Sequence, residues 1–402
     1  MNKKSRNPKN FLPISLIASG LAIAIHTYLT QHYYDLKFGA AAGQSLCNVN
    51  EVFNCDAVSV SRFASLFGIP IAMWGLITNL ILFYFIGVSH LNFVQDKNKT
   101  LRYALMLSGL SVSASLIMGS ISLTLMSNVC LFCIATYILS FIGFWGVFKS
   151  TQDISIKNLT ADVKDVLNSE RWVAGFVIAI PILTFTANAM YSQSKGYGEI
   201  EKLTKEKIAY WQVAPKQDFD LSLGLSAPEQ VNSNVKMTIV EFADFRCPHC
   251  KHAAPTLHAF LKSNSDVRLI FKPFPLDGTC NEAIKSGGDG VSCGLAAAVL
   301  CAEKIAKKGW SAHDYIFENQ SEISQARSLE KNIDGLAQHL DLNKNEINNC
   351  IKDSATMDLI RKMAKEGEIA QIQGTPAVFV NGKLLGAGHL LPVLKAAHQS
   401  IQ

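Results

Sequence analysis

Five stretches of roughly twenty apolar residues, near 12-30, 69-88, 103-126, 129-148 and 172-190, constrain this chain more than any other feature. A helix of about 20 residues crosses a hydrocarbon core of about 30 Å, so the spacing predicts five transmembrane helices in a lipid bilayer. With 49% of residues hydrophobic and 17% charged, the composition agrees. The first stretch follows the basic segment "MNKKSRNPKN", as a signal peptide would. No small-residue cleavage site follows it, and "HTYLTQHYY" reads as an aromatic interfacial anchor, so a retained helix is expected.

Flanking charge predicts orientation. Lys3, Lys4, Arg6 and Lys9 precede the first span; Lys97, Lys99 and Arg102 lie between the second and third; Lys149, Lys157, Lys164 and Arg171 lie between the fourth and fifth. The loop from 31 to 68 carries only Lys37 and Arg62. Positive charge concentrates on the cytoplasmic side, so the C-terminal part is expected outside the cell membrane. The net charge of +5 has no basic stripe or interleaved aromatics, which argues against a nucleic-acid partner.

After the fifth span, "YSQSKGYGEIEKLTKEKIAYWQVAPKQ" reads as an arm or spacer. A soluble α/β domain follows from about 232. Strands are predicted at 237-243, 267-272 and 377-380, with a helix from 248, a helical block from about 294 to 370, a turn at "NG", a short strand and a final helix. That order, a helical insertion inside a strand-helix-strand and strand-strand-helix frame, is a thioredoxin-like plan. The expected division is 1-150 for a membrane bundle, 151-231 for connector, fifth helix and linker, and 232-402 for the soluble domain.

Ten cysteines fall by position into five pairs, which suggests an oxidising compartment. Residues 247-250 read "CPHC" at a strand-to-helix junction. Cys247 at a helix start meets unpaired backbone N–H groups that favour its thiolate, and His249 adds positive charge or a donor. Cys247 is then the attacking sulfur and Cys250 the resolving one. His249, His252 and His258 are close in sequence, but no second C-x-x-C lies in the soluble domain, so no metal is expected. A four-residue ring closes little chain entropy, which makes a structural staple a poor fit. In "QGTPAVFVNG", Thr375 and Pro376 precede a strand, where a cis proline can hold a substrate backbone beside the sulfur. Glu241 is either a buried carboxylate that takes a proton from Cys250 or a solvated strand-end charge. Cys280 with Cys293 and Cys301 with Cys350 read as structural staples.

Cys130 and Cys133, in "VCLFCIATYIL", sit at the outer end of the fourth span on one helix face, where they form either a redox pair or ordinary packing. Cys47 and Cys55 lie on an outer loop long and polar enough to swing. Three dithiols on one face suggest a relay.

At "EFADFRCPHC" and "GTP", the C-terminal domain resembles the DsbA-like thioredoxin-fold oxidases. Residues 12 to 150 resemble the vitamin K epoxide reductase family, in its bacterial members fused to a thioredoxin-like domain, through Cys47, Cys55, Ser61 and "CLFC" followed by "IATY". The resemblance implies a four-helix core plus the fifth helix, and a quinone (ubiquinone or menaquinone) reduced by the helix couple. It implies Cys133 as the sulfur nearest the quinone, Cys130 as its partner, Tyr137 as a hydrogen-bond donor to a quinone oxygen, and Ser61 as a support of the loop. The competing role for Tyr137 is an ordinary bundle aromatic, and the role of Asn79 stays open. The expected protein is an inner-membrane enzyme that oxidises exported reduced proteins through Cys247/Cys250, Cys47/Cys55 and Cys130/Cys133 to a quinone. Alternatives are a reductase or isomerase running in the opposite direction, or a redox sensor that does not turn over.

Overall fold

A computed structural model describes residues 11-38, 45-49, 52-126, 128-168, 171-194, 196-228, 234-326 and 328-401. Lys3, Lys4, Arg6, Lys9 and the expected boundary at 231/232 lie outside the described residues. Two compact units emerge, Met1–Tyr34 with Ser45–Tyr197, and Asp35–Gln44 with Gly198–Gln402.

The first unit is helical. Helices α1 (Leu12–Lys37), α2 (Cys55–Val60), α3 (Ile71–His90), α4 (Lys97–Leu125), α5 (Leu131–Ser150), α6 (Ile156–Asn168) and α7 (Arg171–Ser194) follow in order, with a two-stranded turn of β1 (Ser65–Leu66) and β2 (Ile69–Pro70) before α3. Among the described residues, five helices are long and apolar enough to cross a membrane: α1, α3, α4, α5 and α7. Their outer faces expose Ile17, Leu110, Leu116 and Leu123, an apolar surface suited to lipid. Without water to drive association inside a bilayer, close packing of small residues holds such helices together. A Cβ at Gly146 would lie 2.3 Å from Ser15 Oγ, and Ser15 Oγ donates to the Gly143 carbonyl at 2.9 Å, so α1 and α5 meet along small residues. An apolar core of Leu12, Leu82, Phe85, Leu101, Leu105 and Val147 draws on α1, α3, α4 and α5.

The connector between the fourth and fifth spans, expected only as a solvated link, contains α6. Arg102 on α4 donates to both oxygens of Asp162, at 2.5 and 3.0 Å, and Lys99 reaches Asp165 at 2.9 Å. These pairs fix α6 to the basic end of α4. They were invisible in sequence because the partners stand about sixty residues apart.

The second unit is a five-stranded sheet with helices around it. Its elements are α8 (Tyr197–Val213), β3 (Leu225–Ser226), β4 (Met237–Ala243), α9 (Pro248–Ser263), β5 (Val267–Pro273), the helical insertion α10 (Val291–Ala306), α11 (Gly309–Glu318), α12 (Gln320–Ala326), α13 (Leu329–His339), α14 (Lys344–Lys352) and α15 (Ser354–Ile369), then β6 (Ala377–Val380), β7 (Lys383–Leu384) and α16 (Leu391–Ile401). The strand order is β3-β5-β4-β6-β7, with only β4 and β5 parallel. Side chains alternate along a strand. Val240 and Phe242 of β4 therefore join Phe274, Phe379 and Ala364 of α15 on one face, and Ala243 joins Cys250, Phe271, Leu295 and Phe317 on the other. Glu241, two residues from Ala243, belongs to the face that holds Cys250.

The stretch expected as an arm is built into this unit. Trp211 of α8 is buried and its Nε1 donates to the Val380 carbonyl at 3.2 Å; Gln217 N–H donates to the Gly382 carbonyl at 2.8 Å; β3 pairs with β5. The polar composition of the segment hid this, since one aromatic and a few backbone hydrogen bonds make the attachment.

Candidate functional site

In the helical unit, a short backbone bridge does the positioning. Asn54 N–H donates to the Val129 carbonyl at 3.0 Å and Val129 N–H to the Val52 carbonyl at 2.8 Å. This brings the residues just after each partner together, Cys55 at the first position of α2 and Cys130 at the N-cap of α5. Cys47 and Cys55 are joined by a disulfide, while Cys130 and Cys133 are free. The Cys130 sulfur lies 3.2 Å from the Cys55 sulfur and accepts the Cys133 N–H at 3.1 Å. One member of the helix couple therefore stands at contact distance from the loop disulfide, and all four cysteines share a cluster with Leu29, Tyr28 and Phe132.

A polar network holds the loop. His32 on α1 pairs with Asp56 at 2.6 Å; Asp56 accepts from the Asn48 amide at 2.8 Å; Asn48 Oδ1 accepts the Cys55 N–H at 2.7 Å. Tyr28 and Ser45 hydroxyls meet at 2.9 Å, and Ser45 Oγ is 3.1 Å from Cys47 Sγ. Of these polar side chains, Tyr28 and His32 were read only as part of the interfacial anchor "HTYLTQHYY", and Ser45, Asn48 and Asp56 were not singled out from sequence. The usable signal was a histidine inside an apolar span, where ionisable groups are expensive and tend to serve function.

Cys133 borders a largely apolar cleft of about 720 Å³, whose walls include Leu29, Val58, Ile71, Met118 and Met126. Tyr137 lines it one turn beyond Cys133, and Ser61 lines it too, its hydroxyl donating to the Val58 carbonyl at 2.8 Å. Asn79 instead donates to the Gly75 carbonyl at 2.9 Å on its own helix. His26 of α1 also lines the cleft, and its Nδ1 is buried with no hydrogen-bond partner among the described residues. An apolar slot with an orphaned ring nitrogen, a phenol and a thiol on its wall fits, in the chemistry of its lining, a planar apolar ring that carries hydrogen-bond acceptors, as a quinone does.

In the α/β unit, Cys247 caps α9 and Pro248 opens it. Cys247 lies at the surface of the core while Cys250 is fully buried. The Cys250 thiol hydrogen-bonds to Cys247, and the backbone N–H groups of Cys250 and His249 at the helix start assist; against the opposing cost of burial they bring Cys247 from 9.0 to about 5. Burial pushes the Cys250 thiol far up, reinforced by its bond to Cys247 and by that residue's charge. The two sulfurs are thus split into an ionised outer member and a protonated inner one. Glu241 is 1% exposed, which removes the solvated reading, and burial together with the Cys247 charge raises it to about 8. The Thr375–Pro376 peptide bond is cis, and the Cys247 sulfur lies 3.3 Å from the Thr375 carbonyl oxygen. Gln320 of α12, also missed in sequence, donates at 2.9 Å to the carbonyls of both Phe245 and Cys247.

Disulfides join Cys280 to Cys293 and Cys301 to Cys350. The first closes the loop whose Asp289 receives Arg246, the neighbour of Cys247, at 2.8 and 3.0 Å. The second ties α10 to α14. Metal-type side chains gather at His258, His313 and Asp314, but there Asp314 already pairs with His313 Nδ1 at 2.9 Å.

Residues 13-148 match the model of the vitamin K epoxide reductase family, and residues 231-390 match a thioredoxin model. Among curated relatives, "Na(+)/H(+) antiporter NhaA 3" of Salinispora tropica is 28% identical over 166 residues, 41% of this chain; the chain spans only 23% of that relative's length. "Probable disulfide bond formation protein D" of Bacillus cereus is 26% identical over 186 residues, 44% of this chain and 81% of that protein. Among solved structures, BdbD from Bacillus subtilis in its oxidised form has a TM-score of 0.38 at 18% identity, covering 47% of this chain and 97% of that one.

Proposed function

We propose that this chain, which joins a vitamin K epoxide reductase family domain to a thioredoxin-fold domain, is a membrane thiol-disulfide oxidoreductase that forms disulfide bonds in exported proteins and passes the electrons to a quinone. The observation that carries the reading is the 3.2 Å approach of Cys130 to a closed Cys47–Cys55 disulfide, beside a cleft bordered by Cys133. The name of the Bacillus cereus relative points the same way. The charge distribution around the spans supports a thioredoxin-fold domain on the extracytoplasmic side, where substrates emerge.

The chemistry follows from the sulfurs. A substrate thiolate attacks Cys247 of the oxidised Cys247–Cys250 pair, so a mixed disulfide to Cys247 forms and Cys250 leaves and takes up a proton. A second substrate thiolate attacks the substrate sulfur of that mixed disulfide, the substrate disulfide closes, and Cys247 leaves as a thiolate made stable by its helix-start environment. Cys247, ionised at neutral pH, then attacks the Cys47–Cys55 disulfide; Cys250 resolves the mixed disulfide, and its proton passes to Glu241. The loop dithiol is reoxidised by exchange with a Cys130–Cys133 disulfide across the Cys55–Cys130 contact. A quinone bound in the cleft supplies the sink for two electrons and two protons, the number released when the Cys130/Cys133 dithiol closes. Tyr137 and Cys133 are the lining groups placed to hold it, and the apolar walls exclude water. Both Cys130 and Cys133 border the cleft, and Cys130 is the one in contact with Cys55, so exchange with the loop falls to Cys130 and Cys133 is left for the cleft side.

The test is reconstitution of the full chain in lipid vesicles with ubiquinone and a reduced, unfolded secretory protein. Two substrate thiols lost per quinol formed is the expected stoichiometry, with none in Cys133→Ala. Thiol loss without quinol, or quinol formation that does not need Cys247, sinks the reading. In Cys250→Ala a trapped disulfide from Cys247 to Cys47 or Cys55 is expected.

A further inference from the structure

We propose that His26 donates a ring N–H hydrogen bond to one carbonyl oxygen of the quinone, as a polar anchor on a different helix from Tyr137; this rests on the reading of the cleft given above. His26 lies in the middle of α1, an apolar membrane span, where a polar ring left without a partner costs free energy that packing alone does not return. The neighbouring helix is shaped around it. A Cβ at Gly75 of α3 would lie 2.4 Å from the His26 ring, so glycine there is what admits the imidazole. Two of the hydroxyls of the lining are committed: Ser61 donates to the Val58 carbonyl and Thr136 to the Cys133 carbonyl, both at 2.8 Å, while Tyr33, Ser59 and Ser122 line the cleft as well. Asn79 of α3 donates one amide hydrogen to the Gly75 carbonyl and is not among the residues that line the cleft.

Among the donors on the wall, the imidazole on α1 carries the buried ring nitrogen without a partner and the phenol on α5 stands beside Cys133, and both suit an acceptor bound within the cleft. A quinone ring carries two carbonyl oxygens and no donor, which matches two donors on separate helices. In this arrangement Tyr137, beside Cys133, takes one oxygen and His26 takes the other. The ring plane is then fixed by two points, and a ligand that lacks the second carbonyl loses one of them.

The full chain in detergent or nanodiscs, with a short-tailed ubiquinone labelled with ¹³C at its carbonyls, tests this in wild type, His26→Phe and His26→Gln. Phe keeps a flat ring against Gly75 and removes the N–H; Gln restores a donor. Bound quinone is expected to show a lowered carbonyl stretch in wild type and Gln, moving up toward the free position in Phe. Binding measured directly is expected to weaken about tenfold in Phe, the usual effect of losing one hydrogen bond of this kind. If His26→Phe fails to fold, Gly75→Ala, whose added Cβ displaces the imidazole, is expected to give the same upward shift. An unchanged carbonyl band in a folded variant overturns the proposal, even if binding weakens, because His26 is then a packing residue only. If wild type itself binds no quinone, the cleft reading fails together with the proposal, and that outcome is read from wild type alone.

Discussion

Cys130 Sγ stands 3.2 Å from Cys55 Sγ, while Cys55 is bonded to Cys47 and Cys130 is free. A free thiol at that distance from a disulfide is one bond exchange from a mixed disulfide: Cys130 bonds to Cys55, and Cys47 leaves as the thiolate. Cys133 is the group that would resolve it. Cys133→Ala is therefore expected to accumulate a Cys55–Cys130 disulfide with Cys47 alkylatable, as read by non-reducing digestion and mass spectrometry. A dominant Cys47–Cys130 link would contradict the geometry.

Cys247, lowered from 9.0 to about 5, sets a pH dependence in the reduced thioredoxin-fold domain. Its depressed value means that the thiolate stabilises the reduced fold fully above pH 9 and ceases to do so as pH falls through about 5. The disulfide form has no such group. The gap between the melting temperatures of reduced and oxidised protein is thus expected to widen in favour of the reduced form from pH 5 to pH 8. Alkylation of Cys247 by iodoacetamide is expected to have its midpoint near 5; a midpoint near 9 would remove the thiolate from the mechanism.

Glu241 moves the other way. Its folded value of about 8 against an ordinary 4.5 means that the folded state holds the proton more tightly, so folding loses stability as pH rises between those limits. Replacing it with Gln is expected to raise stability by on the order of 2-4 kcal/mol at pH 8 and to change little at pH 4. The same variant should prolong mixed disulfides at Cys247, since the proton acceptor for Cys250 is gone. Denaturant titration at the two pH values and quenched-flow trapping separate the two effects. Equal destabilisation at both pH values would show that the carboxylate is a packing group.

The parts of this protein that were legible in sequence are those that repeat or stand close together. Twenty-residue apolar runs place all five helices, two of them short by six or seven residues at one polar end, and "CPHC" lies on a strand-to-helix junction whose period-two and helical patterns are local. What stayed hidden depends on pairs far apart in the chain. His32 meets Asp56 across 24 residues, Gln320 reaches back 73 residues to the Cys247 carbonyl, and Trp211 docks on Val380 across 169. Each is a single polar contact with no periodicity. The attachment of α8 and β3 to the soluble sheet was missed for that reason, and so was α6, whose hold on α4 consists of ion pairs.

Gln320 holds the chain just before the redox sulfur by donating both amide hydrogens, to Phe245 and Cys247 carbonyls. Gln320→Leu, at similar volume, leaves the buried Phe245 carbonyl without this donor, while the Cys247 carbonyl keeps the N–H groups of Cys250 and Lys251. A loss of about 1-3 kcal/mol is expected in urea unfolding. The positioning role has its own readout: the alkylation midpoint of Cys247 should rise, because a looser turn presents the N–H groups of His249 and Cys250 less well. A stability loss with no change in that midpoint would limit Gln320 to a structural role.

His32 and Asp56 connect the first membrane helix to the loop disulfide. Asp56 is 3% exposed and spends one oxygen on His32 and the other on Asn48, which in turn holds the Cys55 N–H. Removing the imidazole leaves a buried carboxylate with one partner fewer, and a hydrogen bond to such a group is worth about 1.5-3 kcal/mol. The loss falls on the segment that keeps Cys55 against Cys130, so His32→Leu is expected to loosen the loop while the spans stay folded. Reduction of Cys47–Cys55 by a water-soluble phosphine should then be roughly tenfold faster or more. The Cys55–Cys130 product in the Cys133→Ala background should fall in parallel. Asp56→Asn keeps the size and can still bond to both neighbours, so it should show a smaller change in each measurement. If His32→Leu alters neither reduction nor trapping, the backbone bonds of Val129 with Asn54 and Val52 hold the loop without help from His32, and the His32–Asp56 pair contributes nothing to the exchange geometry.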